Sequence, residues 1–258
     1  MKSRVLARIL SRRNSFWIAI LLLILSAWWV LRSCFGEPNK DWRFVKAFGI
    51  RMPMHFALHG IDVSKHNRRI NWTKVKNMRA EGIKIHFVFI KATEGATLSD
   101  KQFPINWREA KNANILRGAY HFYHPTRDPI KQANNFINRV SLSKGDFAPV
   151  LDFEVINGVP DEELIDGLKT WLEAIEDHYE IKPIIYTNAT LYKRYIKGNF
   201  DKYPLWIADY SNTHLNKYDA DQLYIWQHNQ SGWVDGIRGK VDFNAFVAEP
   251  DRITEICL

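Results

Sequence analysis

Residues 147–187 read FAPVLDFEVINGVPDEELIDGLKTWLEAIEDHYEIKPIIYT, and this stretch decides the fold. FAPVLDFE (147–154) and KPIIYT (182–187) are short apolar runs rich in β-branched and aromatic residues, and between them lies an amphipathic stretch, Asp161 to Tyr179, that Pro160 and Asp161 open as a helix. Strands that are apolar throughout and alternate with helices imply a parallel sheet covered by helices. The pattern continues on both sides. FALHGIDVS (56–64), HFVFIKAT (86–93) and LRGAYHF (116–122) precede it, and PLWIADY (204–210), LYIWQH (223–228) and GKVDF (239–243) follow. Of these eight strand candidates the first five are separated by amphipathic stretches such as Trp72 to Ala80, whereas the last three leave little room for helices. The expectation is an α/β fold: an irregular TIM-like β/α barrel of about eight strands and five or so helices, thinly covered and open on one side toward its C-terminal end. An open doubly wound sheet is the alternative.

The chain has 258 residues, 46% of them apolar, which suffices for one domain of barrel size with a substantial core. Its net charge of +8 invites a nucleic-acid reading, but Lys2, Arg4, Arg8, Arg12, Arg13 and Arg32 stand in the first 35 residues without an acid, so the remainder carries only +2. No comparable cationic stripe is expected downstream, and nucleic acid is not an expected partner. Residues 16–31, FWIAILLLILSAWWVL, are uncharged and flanked by arginines. With Ser15 and the stems of Arg13 and Arg32 they are just long enough to span a bilayer of about 30 Å. The expected organisation is a basic cytoplasmic segment (1–14), a single-pass transmembrane signal-anchor (15–32), a tether (33–55) and a globular domain (56–258) on the extracytoplasmic, periplasmic or outer, side. A cleaved signal peptide competes, although no Ala-x-Ala-like site follows the apolar run. Cys34 loosely suits a lipidated position, and a bridge between Cys34 and Cys257 stays open; two cysteines make no disulfide framework, so the core must hold the fold.

Barrel active sites lie at the C-terminal ends of the strands. Five acids stand at strand ends: Asp62, Glu94, Asp152, Glu154 and Asp242. The bland reading of each is a solvated carboxylate at a strand-to-loop junction, and it is strongest for Glu94 beside Gly95. Asp152 and Glu154 are harder to dismiss. Two apart on a strand, they point the same way with Cα atoms about 6.6 Å apart. Crowded carboxyls repel when both ionise, so one stays protonated and can hand its proton to a glycosidic oxygen while the other stabilises the positive charge developing on a sugar.

HGIDVSKHN, FIKATEG, GAYHFYHP, PVLDFE, IIYTN, WIADY, IWQH and GKVDFNAF, in this order from about residue 58 to 246, resemble the blocks of glycoside hydrolase family 25, the Chalaropsis-type lysozymes. The resemblance implies an irregular β/α barrel that hydrolyses the β-1,4 bond between N-acetylmuramic acid and N-acetylglucosamine in peptidoglycan. It makes Glu154 the general acid, kept protonated at neutral pH, places Asp62, Asp152 and Asp242 around the scissile sugar, and sets Glu94 along the same groove. A carboxylate about 5 Å from Glu154 could attack as nucleophile, one about 6.5–9.5 Å away could activate a water, or the sugar's 2-acetamido group could attack with Asp152 orienting it. The last is favoured. Tyr120, Tyr186 and Gln227, in blocks that resemble the family's, are expected to line the groove, and so are Trp206 and Trp226, since flat rings with a polar edge suit sugar faces.

Other chemistries fit less well. His121 and His124 in HFYHP lack the helical one-face placement of a zinc pair, Ser64 and His66 have no Gly-x-Ser-x-Gly elbow, and no phosphate loop occurs, so neither a metal nor a cofactor is expected. Two other classes stay open, a tethered protein that binds glycan without cutting it and a chitinase-like hydrolase. The first needs aromatics but no protonated acid, so the intact Asp-x-Glu argues against it.

Overall fold

The structure is a computed structural model that describes Ser26, residues 41–211 and residues 215–258. A short hairpin, β1 (Trp42–Val45) and β2 (Ile50–Pro53), comes first. The barrel strands follow as β3 (Leu58–Val63), β4 (Ile85–Glu94), β6 (Leu116–Phe122), β7 (Val150–Phe153), β8 (Ile184–Asn188), β9 (Leu205–Ala208), β10 (Leu223–Gly232) and β11 (Val241–Phe246), with a two-residue strand β5 (Leu98–Ser99) folded back on β4. The eight apolar runs all form strands.

Helices fill the crossovers: α1 (Trp72–Asn77) between β3 and β4, α2 (Phe103–Asn112) between β4 and β6, α3 (Pro129–Ile137) between β6 and β7, α4 (Asp161–Tyr179) between β7 and β8, and α5 (Ala189–Leu191) with a π turn, Tyr192–Ile196, between β8 and β9. Local chemistry sets their starts. Asn71 accepts from the Lys74 N–H at 3.1 Å and Asp128 from the Lys131 N–H at 2.9 Å, while Pro129 supplies a residue with no N–H to satisfy. Asp161, Glu162 and Glu163 place negative charge in the first turn of α4, where it complements the helix dipole.

Two expectations about the sheet are corrected. The barrel is closed, because β3 pairs with β4 on one side and with β11 on the other. It is also mixed: β11 runs antiparallel to both β10 and β3. The connection from β10 spans only residues 233–240, shorter than the dozen or so residues a parallel crossover needs, so the chain must double back.

The helix-poor side is covered by residues that read as tether. Phe48, Ile50 and Met52 are buried while Gly49 and Arg51 are exposed, the two-residue period of a strand. The Phe48 ring lies 5.2 Å from that of Phe243, and its carbonyl accepts from the Trp233 N–H at 2.9 Å. The compact unit therefore runs from Phe44, ahead of the expected boundary at Phe56. The expected basic segment, membrane anchor and first part of the tether, with Cys34, lie outside the described residues apart from Ser26. Among the described residues no helix is long and apolar enough to cross a membrane.

Aromatic rings pack the barrel interior. Phe89 stacks on Phe147 at 4.9 Å and lies 4.5 Å from Trp206, and each such ring contributes roughly 2–3 kcal/mol by burial. Gly60 and Gly118 make this packing feasible, because a Cβ at either would fall 2.3 Å from the ring of Phe87 or Phe89. The C-terminus seals the base through Ile256, whose carbonyl accepts from the Ala148 N–H at 2.9 Å.

Charge is distributed differently from the expectation of a basic N-terminus alone. Lys65, Arg68, Arg69, Lys74, Lys76, Arg79 and Lys84 gather around α1 with Glu81 as the one acid among residues 65–84. Since the barrel and hairpin together are only weakly basic, this run is balanced by acids elsewhere, above all in α4, which carries seven.

Candidate active site

A cleft of about 930 Å³ opens at the C-terminal ends of the parallel strands, near the top of the ~300–1,000 Å³ range of ligand clefts. Asp62, Asp152, Glu154 and Asp242 all line it, together with Tyr120, Tyr186, Trp206 and Gln227. Asp242 reaches this rim only because β11 is reversed. It is the second residue of its strand, and the antiparallel register sets it directly opposite Asp62.

The Asp62 carboxylate is the more elaborately held. Its Oδ2 accepts from Gln227 Nε2 and from Asn244 Nδ2, each at 2.8 Å. Asn244 in turn accepts from Trp206 Nε1 at 2.8 Å, and Gln227 Oε1 accepts from the Tyr186 hydroxyl at 2.9 Å and from the Tyr210 hydroxyl. Burial, with the repulsion of Asp242, pushes Asp62 well above the usual carboxylate range despite its two amide donors. Burial also raises Asp242, but the hydrogen bond with Asp62 works against the rise, so the larger rise falls on Asp62.

Asp152 and Glu154 form a second pair. Asp152 is buried and Glu154 exposed. Burial first, then the charge of Glu154, holds Asp152 well above the usual range, and the two carboxyls lie close enough to share a proton. The difference in burial follows from the strand: β7 carries residue 152 into the barrel, while residue 154 lies beyond the strand end. Asp152 Oδ1 is buried without a hydrogen-bond partner among the described residues.

A carboxyl whose proton affinity is raised by folding stabilises the fold fully below its unfolded value and progressively less as pH rises through its folded value. Asp152→Asn, whose amide can donate to Glu154 as the protonated acid does, is therefore expected to melt higher than the parent by an amount that grows as pH rises from acid toward neutral. Thermal melts across that range check this; a constant difference would remove the buried proton from the account.

Two expected groove residues lie elsewhere. Trp226 is buried on the opposite face of β10 from its neighbour Gln227, where its Nε1 donates to the Asp209 carbonyl at 2.9 Å and its ring packs on Phe56. The period of two along a strand forbids both 226 and 227 from facing the cleft. Glu94 borders a separate cavity of about 340 Å³ with His124 and Arg127. Its Oε2 accepts from Lys91 Nζ at 2.7 Å and its Oε1 contacts His124 Nε2 at 3.2 Å. Trp206 lines the cleft but is 2% exposed, so it forms the floor beneath Asp62 and offers no open stacking face. The open ring is that of Tyr210, 48% exposed; its place at the end of PLWIADY was the one signal for it. His121 is buried against Trp171, its Nδ1 accepting from the Thr93 hydroxyl at 2.7 Å and its Nε2 donating to Gln132 Oε1 at 3.3 Å, and burial pushes it down to about 3. Ser64 and His66 sit on the cleft rim, where the Ser64 hydroxyl accepts from the His66 N–H at 3.4 Å.

Comparison with known proteins points one way. Residues 61–237 match the family described as "Glycosyl hydrolases family 25". The chain is 42% identical to YegX of Escherichia coli over 80% of its own length and 75% of that protein's. It is 30% identical to lysozyme M1 of Streptomyces globisporus, covering 76% and 70% of the two chains. Among solved structures, a family 25 glycosyl hydrolase from Bacillus anthracis superposes with a TM-score of 0.71 at 26% identity over 86% of this chain and all of the other. A bacterial lysozyme from Streptomyces coelicolor gives 0.69 at 27% identity, over 79% and 98%.

Proposed function

Since the chain belongs to glycosyl hydrolase family 25 and is a glycoside hydrolase, we propose that it hydrolyses the β-1,4 bond between N-acetylmuramic acid and N-acetylglucosamine of bacterial peptidoglycan, with Glu154 as general acid. The convergence of two carboxyl pairs, Asp62 with Asp242 and Asp152 with Glu154, in one cleft carries this reading. The lysozymes and the N,O-diacetylmuramidases among its relatives support the choice of substrate.

The proposed chemistry is substrate-assisted. Glu154 gives its proton to the glycosidic oxygen as the bond to C1 breaks, and the acetamido oxygen of the same sugar closes on C1. Asp152, at the wall of the cleft, accepts a hydrogen bond from the acetamido N–H and balances the positive charge of the cyclic intermediate. Water then opens the ring, giving its proton to Glu154, now a carboxylate. Asp62 and Asp242 hold sugar hydroxyls and keep the cleft negative enough to retain protons.

We further propose that residues 15–32 anchor the chain in the cell membrane with the barrel on the extracytoplasmic side, where its glycan strands lie. The uncharged run from Phe16 to Leu31, flanked by arginines, supports this.

Incubation of the purified full-length chain with peptidoglycan, followed by borohydride reduction and sugar analysis, tests the reaction. New ends are expected as reduced muramic acid. Reduced glucosamine instead would assign the cut to the other bond, and no new ends would leave a protein that binds glycan without cutting it.

A further inference from the structure

Lys91 lines the same cleft as the reacting pair. On β4 the residues facing the barrel interior are Phe87, Phe89 and then, at the rim, Lys91, which lines the cleft and is the register partner of Tyr120. Its ammonium lies 4.5 Å from the centroid of the Phe122 ring, and Phe122 is in turn the register partner of Asp152 on β7. The Lys91 side chain is only 17% exposed, and its ammonium is held by Glu94 at 2.7 Å, whose other oxygen contacts His124. Glu94 itself faces away from the cleft. Burial alone would raise Glu94, but the bonds from Lys91 and His124 bring it below its ordinary value, as a fixed anion anchoring a fixed cation requires.

We infer that Lys91 is the positioning residue of the reaction: its ammonium, anchored by Glu94, stabilises ionised Asp152 and so sends the shared proton to Glu154. The inference rests on the proposed role of Glu154 as acid. Asp152 is faced by Glu154 beyond its own strand, Asp62 from β3, Tyr120 from β6, Tyr186 from β8 and Lys91 from β4. Burial, Glu154 and Asp62 all favour the proton on Asp152; Lys91 is the cation among them that favours its release. Without that cation the buried acid would keep the proton and the exposed one would have none to donate. Glu94 thereby acquires a part in the reaction from outside the cleft.

The test is the pH dependence of kcat and KM on a soluble peptidoglycan fragment, using the full-length protein. The active pair carries one proton, so activity follows a bell between the loss of its second proton and the loss of its last. Lys91→Met is expected to lower kcat by about a hundredfold with KM changed less than about threefold, and to move the bell up by about one pH unit, since removing a cation raises both proton affinities. Lys91→Arg is expected to restore the position of the bell. Glu94→Gln leaves the ammonium less neutralised and should move the bell the opposite way, a sign that packing damage would not produce. Bells that stay with the parent's in both Lys91→Met and Glu94→Gln overturn the inference. If Glu154→Gln, assayed in parallel, retains the parent's kcat, it is the acid assignment that fails, so the two failures are distinguishable.

Discussion

Glu154→Gln is expected to lower kcat on peptidoglycan by about a thousandfold, within the 10²–10⁴ that a general acid contributes. Glutamine keeps the shape and the hydrogen-bonding reach of the side chain but has no acidic proton, so the glycosidic oxygen would have to leave as an alkoxide. Glu154 is exposed and lies beyond the end of β7, so its replacement should leave the melting temperature within about a degree of the parent's. The diagnostic comparison is a substrate whose leaving group needs no protonation, such as an aryl glycoside of the same sugar. There the loss should shrink to about tenfold or less, because the missing proton no longer limits the bond break. An equal loss on both substrates would mean that Glu154 acts on the sugar ring and not on the leaving oxygen.

Asp146→Ala is expected to be the most damaging change outside the cleft. Arg117 on β6 and Asp146, just ahead of β7, form a buried two-point pair at the base of the barrel, with Nε to Oδ1 at 2.8 Å and Nη2 to Oδ2 at 2.9 Å. The guanidinium also lies 3.7 Å from the Trp107 ring and donates to the Trp107 carbonyl, tying α2 to the sheet. Asp146 Oδ2 accepts from the Ser143 N–H at 2.9 Å, and the Asp146 carbonyl accepts from the Leu258 N–H at 2.9 Å, holding the C-terminal seal. Alanine would leave a buried cation unpaired, at a cost of about 3–5 kcal/mol. For a domain of this size that is a fall in Tm of roughly 10 °C. The double change Arg117→Met with Asp146→Ala should recover part of the loss, since no charge is then left stranded. The variant's kcat, measured well below its melting temperature, should stay near the parent's because the pair sits at the opposite end of the strands from the cleft. A melting temperature within about 2 °C of the parent's would show that this pair contributes little.

The two largest effects fall at opposite ends of the barrel for a physical reason. The base is dry, so charge survives there only when fully paired. The top is where the sequence places acids that repel, and their unfavourable proximity is what makes a proton available. Asp152 and Asp62 thus lower stability at neutral pH, a cost that chemistry in the cleft offsets.

The chain's own residues determined the eight strands, the long helix from Asp161 to Tyr179 and the gathering of Asp62, Asp152, Glu154 and Asp242, because short runs buried on both faces and acids at their ends leave a local signature. Only the tertiary structure decided that β11 turns back, that residues 44–53 cover the side without helices, that Trp226 and Glu94 face away from the cleft, and that burial raises the proton affinity of Asp152. Each of those depends on what a residue is packed against: strand direction on the length of a connection, facing on the register with distant strands, and proton affinity on burial by neighbours far apart in sequence. None of these can be read from adjacent letters.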